Sequence, residues 1–110
     1  MIEVGDFLRV EMRVGQIIEV DNIAQTRDPA YQLKIDFGSK IGVKKTSAQI
    51  TVNYKMQDLI DRRVIAVVNF PPKQIGTFMS DVLVLGVADK NDNIVLLTPD
   101  KDTPLGARVV

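Results

Sequence analysis

The chain of 110 residues contains no cysteine, no histidine and no tryptophan. Zinc, iron–sulfur and haem sites need Cys or His in almost every case, so the common metal centres are excluded. Ser–His and Cys–His nucleophiles are excluded for the same reason. No disulfide can form, so the fold does not depend on an oxidising compartment. We expect a protein that is not an enzyme and that carries neither a metal nor a cofactor.

Long apolar runs are also missing. No stretch approaches the roughly 18 apolar residues that cross a bilayer as a helix. Residues 1–10 include Glu3 and Asp6 and lack the apolar run of a signal peptide. The expected location is therefore the cytoplasm, without membrane insertion.

The net charge is zero, but the charges are unevenly distributed. Residues 34–73 carry a net charge of +5, against −3 for residues 1–33 and −2 for residues 74–110. A basic middle between acidic ends indicates either a local anion-binding face or an ordinary solvated surface, and the charge pattern leaves both open.

Strand-like alternation begins early in the chain. Residues 3–9 form a short helix candidate. Residues 9–20 alternate in polarity, which places Ile18 on the inward parity, and Gly15 interrupts the run where a curved strand would bulge or bend. Residues 21–30 are predicted to form a loop because they are rich in Asp, Asn and Thr.

The next segment predicts a hairpin. Residues 31–37 alternate between apolar and polar side chains, which predicts a half-buried strand with Phe37 in the core. Gly38-Ser39 then turns the chain. On this pattern Lys34 and Lys44 both face solvent.

The remaining elements complete a barrel pattern. Ser47 is a candidate N-cap for a helical turn within residues 48–59. Residues 64–68 and 82–87 are apolar on both faces, so each strand needs cover on both sides. A five-stranded Greek-key barrel with a helix between its third and fourth strands is the oligonucleotide/oligosaccharide-binding (OB) architecture. The strand pattern alone also fits an SH3-like barrel.

Six segments carry a resemblance to a known family. They are MRVGQI (12–17), RDPAYQLKIDFG (27–38), IGVKKTSAQIT (41–51), VVNFPPKQIG (67–76), SDVLVLG (80–86) and VLLTPDKDTPLGARV (95–109). Together they resemble OB barrels of the tRNA-binding-domain kind and, more closely, the CsaA family of small secretion chaperones. The SAQIT stretch and the NFPP loop are the CsaA-like parts.

The resemblance implies the fold and the partners. It favours an all-β, five-stranded OB barrel over residues 1–110 as one domain, with a short helix between strands 3 and 4 and terminal extensions used in dimerisation. It implies a homodimer whose partners are unfolded or precursor polypeptides, the secretion machinery and tRNA. No cofactor is implied.

Seven residues are predicted to bind nucleic acid. The ligand face of an OB barrel is formed by strands two and three and by the loops beside them. The candidates on or near that face are Lys34, Lys44, Lys45, Ser47, Asn69, Lys73 and Ser80. For each lysine the alternative is an ordinary surface role, and Asn69 could instead hydrogen-bond the adjacent loop. Aromatic stacking partners are scarce, with Tyr31 as the better candidate.

Four apolar residues are predicted to bind polypeptide. Phe70, Ile75, Phe78 and Met79 flank a loop stiffened by two prolines. They could instead fill a dimer contact. CsaA-like proteins tend to have basic residues where this chain has Gln32 and Met79, so these replacements favour a polypeptide-binding chaperone that also has tRNA-binding capacity. The alternative is a module that recognises tRNA shape alone.

Overall fold

Short antiparallel strands build the architecture. The computed structural model describes residues 1–23 and 29–110. Its elements are α1 (Val4–Arg9), β1 (Met12–Ile23), β2 (Ala30–Asp36), β3 (Val43–Ala48), α2 (Met56–Leu59), β4 (Arg63–Val67), β5 (Lys73–Ile75), β6 (Phe78–Ser80), β7 (Leu83–Val84), β8 (Gly86–Ala88) and β9 (Ile94–Leu96).

Five of these strands form one curved antiparallel sheet, in the order β3-β2-β1-β4-β7. The backbone N–H of Asp81, just before β7, donates to the carbonyl of Lys45 on the outer edge of β3 at 2.7 Å. The sheet is thereby drawn into a nearly closed barrel, with α2 between β3 and β4. The predicted all-β OB fold is confirmed.

The barrel core follows the alternation of β2. Leu33, Ile35 and Phe37 are almost completely buried, and Tyr31 is 8% exposed. The predicted inward face of this strand and the core position of Phe37 are confirmed. Tyr31 donates its hydroxyl to the Tyr54 carbonyl at 2.9 Å, so its prediction as a stacking platform is wrong.

Strand β1 differs from its prediction in two ways. The register against β2 shifts between Ile17 and Glu19, so Ile17 is fully buried while Ile18 is 43% exposed. The irregularity therefore lies beyond Gly15, and the predicted parity of Ile18 is wrong. Gly15 instead permits close packing, because a Cβ there would lie 2.5 Å from Ile35 Cγ2.

The predicted loop over residues 21–30 is also corrected at its edges. Residues 21–23 continue β1, and Ala30 opens β2. The rest of that prediction, residues 24–28, lies outside the described residues, as do the first two residues of the RDPAYQLKIDFG segment.

Strand β3 has the opposite facing to the one predicted. The turn runs from Gly38 to Gly42. The Gly42 N–H donates to the Gly38 carbonyl at 2.7 Å. The ladder therefore pairs Ile35 with Lys44 and Lys34 with Lys45. Opposed residues share a face of the sheet. Lys45, not Lys44, accompanies Lys34 on the outer face, so the prediction that Lys44 does is wrong.

Two further boundaries differ from the sequence prediction. Ser47 lies within β3, and α2 begins after Lys55, so Ser47 does not cap it. The apolar run 82–87 is divided into β7 and β8. The division coincides with Gly86, where a Cβ would meet Ile94 at 2.5 Å as β8 folds onto β9.

The two terminal segments meet beside β1. Val109 N–H donates to the Met12 carbonyl at 2.9 Å, and Arg108 donates to the Leu8 carbonyl at 2.7 Å. Helix α1 has no buried residue. Neither α1 nor α2, the helices of the described ranges, is long and apolar enough to cross a membrane.

Asp89 organises the turn between β8 and β9. Its carboxylate accepts hydrogen bonds from the backbone N–H of Asn93, the side-chain amide of Asn53 and the backbone N–H of Asn91. These donors, Asn93 foremost, hold the pKa of Asp89 below its ordinary value of 3.8. The turn is thereby tied to the segment that follows β3.

Candidate functional site

A groove of about 450 Å³ opens where β3, the loop after β4, the β5–β6 hairpin and β7 meet. Three separate stretches of sequence contribute to it, within residues 46–47, 70–75 and 80–83. Its lining consists of Thr46, Ser47, Phe70, Pro71, Lys73, Ile75, Ser80, Asp81, Val82 and Leu83. We call this the β3–hairpin groove. It brings together five of the predicted site residues from both the nucleic-acid and the peptide sets.

The mouth of the β3–hairpin groove is apolar. Phe70, before the hairpin, is 50% exposed, and Leu83, after it, is 51% exposed. Pro71-Pro72 follow Phe70 and restrict the backbone there, because proline fixes φ. Ile75 is half-buried and continues the apolar lining from β5. Large apolar side chains are thus held open to solvent on a stiff frame.

The floor of the groove is a pair of buried hydroxyls. Thr46 Oγ1 donates to the Val82 carbonyl at 2.7 Å and lies 2.9 Å from Ser80 Oγ. Ser80 Oγ also lies 3.2 Å from the Val82 carbonyl. Both residues are less than one-tenth exposed. Their hydrogen bonds join β3 to the end of β6, which gives Ser80 a structural role at the base of the groove.

Asp81 fastens the hairpin to the barrel. Its N–H donates to the Lys45 carbonyl at 2.7 Å, and its Oδ2 accepts from the Lys45 N–H at 3.2 Å. Strands β5 and β6 pair with each other in a separate two-stranded sheet. The hairpin is therefore positioned against β3 largely through Asp81 and the hydroxyl pair below it.

The four predicted lysines differ in their position relative to the groove. Lys73 is exposed and lines it from β5. Lys34 and Lys45 are paired across β2 and β3, and Lys34 Nζ forms an exposed ion pair with Glu19 at 3.2 Å. Lys45 Nζ lies 5.8 Å from the centre of the Phe78 ring, within cation–π range. Lys44 is half-buried on the other face of β3.

Asn69 has two hydrogen-bond partners in the N-terminal segment. Its Oδ1 accepts from the Glu11 N–H at 3.0 Å, and its Nδ2 donates to the Arg9 carbonyl at 2.8 Å. It thus joins the end of β4 to the exit of α1. The alternative stated for Asn69 was a hydrogen bond to the adjacent loop, whereas these partners lie in the N-terminal segment. Its binding of nucleic acid stays a prediction.

Phe78 and Met79 lie on opposite faces of the hairpin. Ile75 pairs with Phe78, so these two share the face that carries Ser80, whereas Met79 pairs with Gln74 on the other face. Phe78 is half-buried beside Lys45, and Met79 is 42% exposed. The peptide set is therefore divided, with Phe70 and Ile75 in the groove and Met79 on the outer side of the hairpin.

Sequence reasoning missed Thr46, Asp81 and Leu83. Thr46 stands between two residues chosen for their polarity, and only the register of β3 shows that it points inward. Leu83 was assigned to a strand covered on both sides, yet half of its surface is exposed. The sequence signal that could have indicated this site was Asp81, a lone acid directly before an apolar strand. At such a position a carboxylate can accept a hydrogen bond from the backbone of a neighbouring edge strand.

Comparison with known families gives one match across most of the chain. The family described as Putative tRNA binding domain matches residues 12–108. A methionine–tRNA ligase from Pyrococcus horikoshii is 36% identical over 108 residues, which are 98% of this chain and 14% of that protein. A second, from Thermococcus onnurineus, is 33% identical with the same coverage. The chain thus spans about one-seventh of these enzymes, so the match concerns their appended tRNA-binding domain and not their catalytic parts.

Solved structures of similar length match the whole chain. A CsaA chaperone protein from Picrophilus torridus is 51% identical with a TM-score of 0.93, covering 100% of both chains. The chaperone CsaA from Bacillus anthracis is 42% identical with a TM-score of 0.94, covering 100% of this chain and 99% of the other.

Proposed function

This chain is a CsaA-type member of the tRNA-binding-domain family, and from that premise we propose that it is a homodimeric chaperone that holds unfolded, export-destined polypeptides. Residues 1–110 act as one OB domain. The secretion machinery and tRNA are its further proposed partners, and its proposed location is the cytoplasm.

The observation that carries the proposal is the β3–hairpin groove. Unfolded polypeptides differ from folded ones in exposing apolar side chains, so a holding site must offer apolar surface that is open before the client arrives. Phe70 and Leu83 are each about half exposed at the mouth of the groove. Because Pro71-Pro72 stiffen this frame, little conformational entropy is lost on binding.

A second candidate function, recognition of tRNA, is favoured by the register of β2 and β3. The ladder sets Lys34 beside Lys45 on the outer face, and Lys73 stands across the groove on β5. Such a row can meet successive phosphates without reading bases. Glu19 partly offsets it through its ion pair with Lys34. We therefore propose weak, salt-sensitive tRNA binding beside the polypeptide function.

The test measures both activities on one preparation. Suppression of aggregation of a heat-denatured globular protein reports the chaperone function, and a gel shift with total tRNA reports the RNA function. Phe70→Ala and Leu83→Ser remove apolar groove lining at positions that are already half exposed. Val52→Ser is the matched control, because Val52 is 72% exposed and lies outside the groove lining.

Each groove variant should weaken client binding by about four- to twelvefold. Full burial of a large apolar side chain contributes about 1.5–3 kcal/mol, and these side chains are already about half buried, so about half of that is gained on binding. The Val52 control should behave as the unmodified chain. Full suppression by folded Phe70 and Leu83 variants would remove the groove from the mechanism. Absence of suppression by the unmodified chain, with tRNA still shifted, would leave the RNA function alone.

A further inference from the structure

The residues predicted for nucleic acid and those predicted for polypeptide converge on the same groove. Ser47, Lys73 and Ser80 belong to the first set, and Phe70 and Ile75 to the second, yet all five line the β3–hairpin groove. The sequence prediction separates the two sets because one consists of basic and polar side chains and the other of apolar ones. The fold brings residues of both sets together in one groove.

A contact outside the groove lining also links the two sets, because Lys45 is predicted to bind nucleic acid and Phe78 to bind polypeptide. The Lys45 ammonium lies 5.8 Å from the centre of the Phe78 ring. A phosphate drawn to Lys45 competes with that ring for the cation, and an apolar side chain laid on Phe78 displaces the cation from it. Either ligand thus alters the surface that the other would use.

The volume of the groove is that of a site for one small ligand. Pockets that enclose a single small ligand range from about 300 to 1,000 Å³, and the β3–hairpin groove lies at the lower end with about 450 Å³. It can take one apolar side chain with its flanking backbone, or one unstacked nucleotide. Its floor is tied across β3 and β6, because the Thr46 hydroxyl donates to the Val82 carbonyl and lies 2.9 Å from Ser80 Oγ.

The two formal charges among the described lining residues oppose each other. Lys73 attracts phosphate, whereas the Asp81 carboxylate, held in place by the Lys45 N–H, repels it. The groove therefore has no strong electrostatic bias, and a client with apolar side chains can displace RNA without overcoming a large attraction.

From these observations we infer that polypeptide and tRNA compete for the β3–hairpin groove and exclude one another, so a chain occupied by a client releases its tRNA. This inference rests on the proposed function, since it requires that both ligands bind. It adds a regulatory property, which is that the supply of unfolded client controls how much of the protein is bound to RNA.

The experiment is a competition titration by fluorescence anisotropy. Labelled total tRNA is bound to the full chain, and a short uncharged peptide with apolar side chains is added at constant salt. An uncharged peptide cannot act by screening the lysines. At a peptide concentration ten times its own Kd, exclusive binding raises the apparent Kd for tRNA about 11-fold, and the rise continues linearly with further peptide. A peptide of the same length with serine in place of each apolar residue should have no effect.

The outcomes separate this inference from the proposed function. A tRNA Kd that is unchanged, or that reaches a plateau while peptide is bound, shows a ternary complex and overturns exclusion while leaving both activities intact. Failure of either ligand to bind alone overturns the proposed function and this inference together. Leu83→Ser provides a further check, because it should weaken the peptide as a competitor by the same factor by which it weakens the direct binding of the peptide. Equal competition by peptide in the Leu83 variant would place the shared contact elsewhere.

Discussion

At the scale of single residues, two adjacent lysines have different surroundings. Lys45 is exposed on the outer face of β3, opposite Lys34, while Lys44 is half-buried opposite Ile35. A phosphate approaching the outer face reaches Lys45 first. The two side chains should therefore contribute unequally to RNA binding although they are neighbours in sequence.

We predict that Lys45→Glu weakens tRNA binding uniformly across tRNA species and reduces the magnitude of the log–log salt slope by about 1. Lys44→Glu should have a clearly smaller effect. Lys90→Glu, on the turn between β8 and β9, is the charge-matched control and should bind as the unmodified chain. Equal losses for Lys44 and Lys45 would show that the outer face is not the phosphate-binding surface.

At the scale of elements, the close packing of β1 against β2 depends on Gly15. A Cβ at this position would lie 2.5 Å from Ile35 Cγ2 and 2.7 Å from Phe37 Cε1. Ile35 and Phe37 are both buried, so neither can move without disturbing the core. The curvature that closes the barrel thus requires the absence of a side chain at one point of β1.

Gly15→Ala should lower the free energy of unfolding by about 1–3 kcal/mol, the usual cost of overpacking a well-packed core. Chemical denaturation measures it. Gly5→Ala is the matched control, because Gly5 lies in α1 with nothing within 4 Å of an added Cβ. It should leave stability unchanged or raise it slightly, since Ala favours helix. A Gly15 variant as stable as the Gly5 variant would contradict this account of the packing.

The sequence predicts the facing of a strand when its own side chains alternate in polarity, but not when the facing depends on its register with a neighbouring strand. The buried face of β2 is readable because each of its inward residues is apolar and each outward one polar. The facing of β3 depends on where the Gly38–Gly42 turn places the first pair, and a shift of one residue exchanges the two faces. The register shift after Ile17 has the same effect within β1. Neither the first residue pair of β2 and β3 nor the register shift in β1 can be read from the polarity of the neighbouring residues.

The candidate site was predictable in part of its members but not in its grouping. Ser47, Lys73 and Phe70 were each chosen from sequence, and all three line the groove. Asp81 and Thr46 connect β3 to the hairpin through hydrogen bonds between residues more than 30 positions apart. Contacts of that range arise from the closure of the barrel, so the sequence alone could not show that the two predicted sets share one groove.

At the scale of the whole molecule, apolar side chains remain exposed at the N-terminus. Ile2 is 78%, Val4 75% and Leu8 58% exposed. Arg108 and Asn69 hold this segment against the barrel, so its apolar side chains are presented on an ordered support. A self-complementary contact between two copies would cover such a surface.

We predict a homodimer at micromolar concentration, measured by light scattering. Leu8→Asp should shift the equilibrium toward the monomer, because a carboxylate is costly to bury in an apolar contact. Val52→Asp, at an exposed apolar position outside this segment, should leave the dimer intact. A monomeric unmodified chain would refute the prediction, and a fully dimeric Leu8→Asp variant would place the contact elsewhere.

The central claim is that the β3–hairpin groove receives the polypeptide. Backbone amide chemical shifts, recorded while an uncharged apolar peptide is added to the full chain, test it most directly. The account predicts that the largest changes fall on Ser47, Phe70, Ile75 and Leu83, which come from three separate stretches of sequence and all line the groove. Changes confined to β8 and β9, or to α1, with the groove amides unmoved, would contradict it.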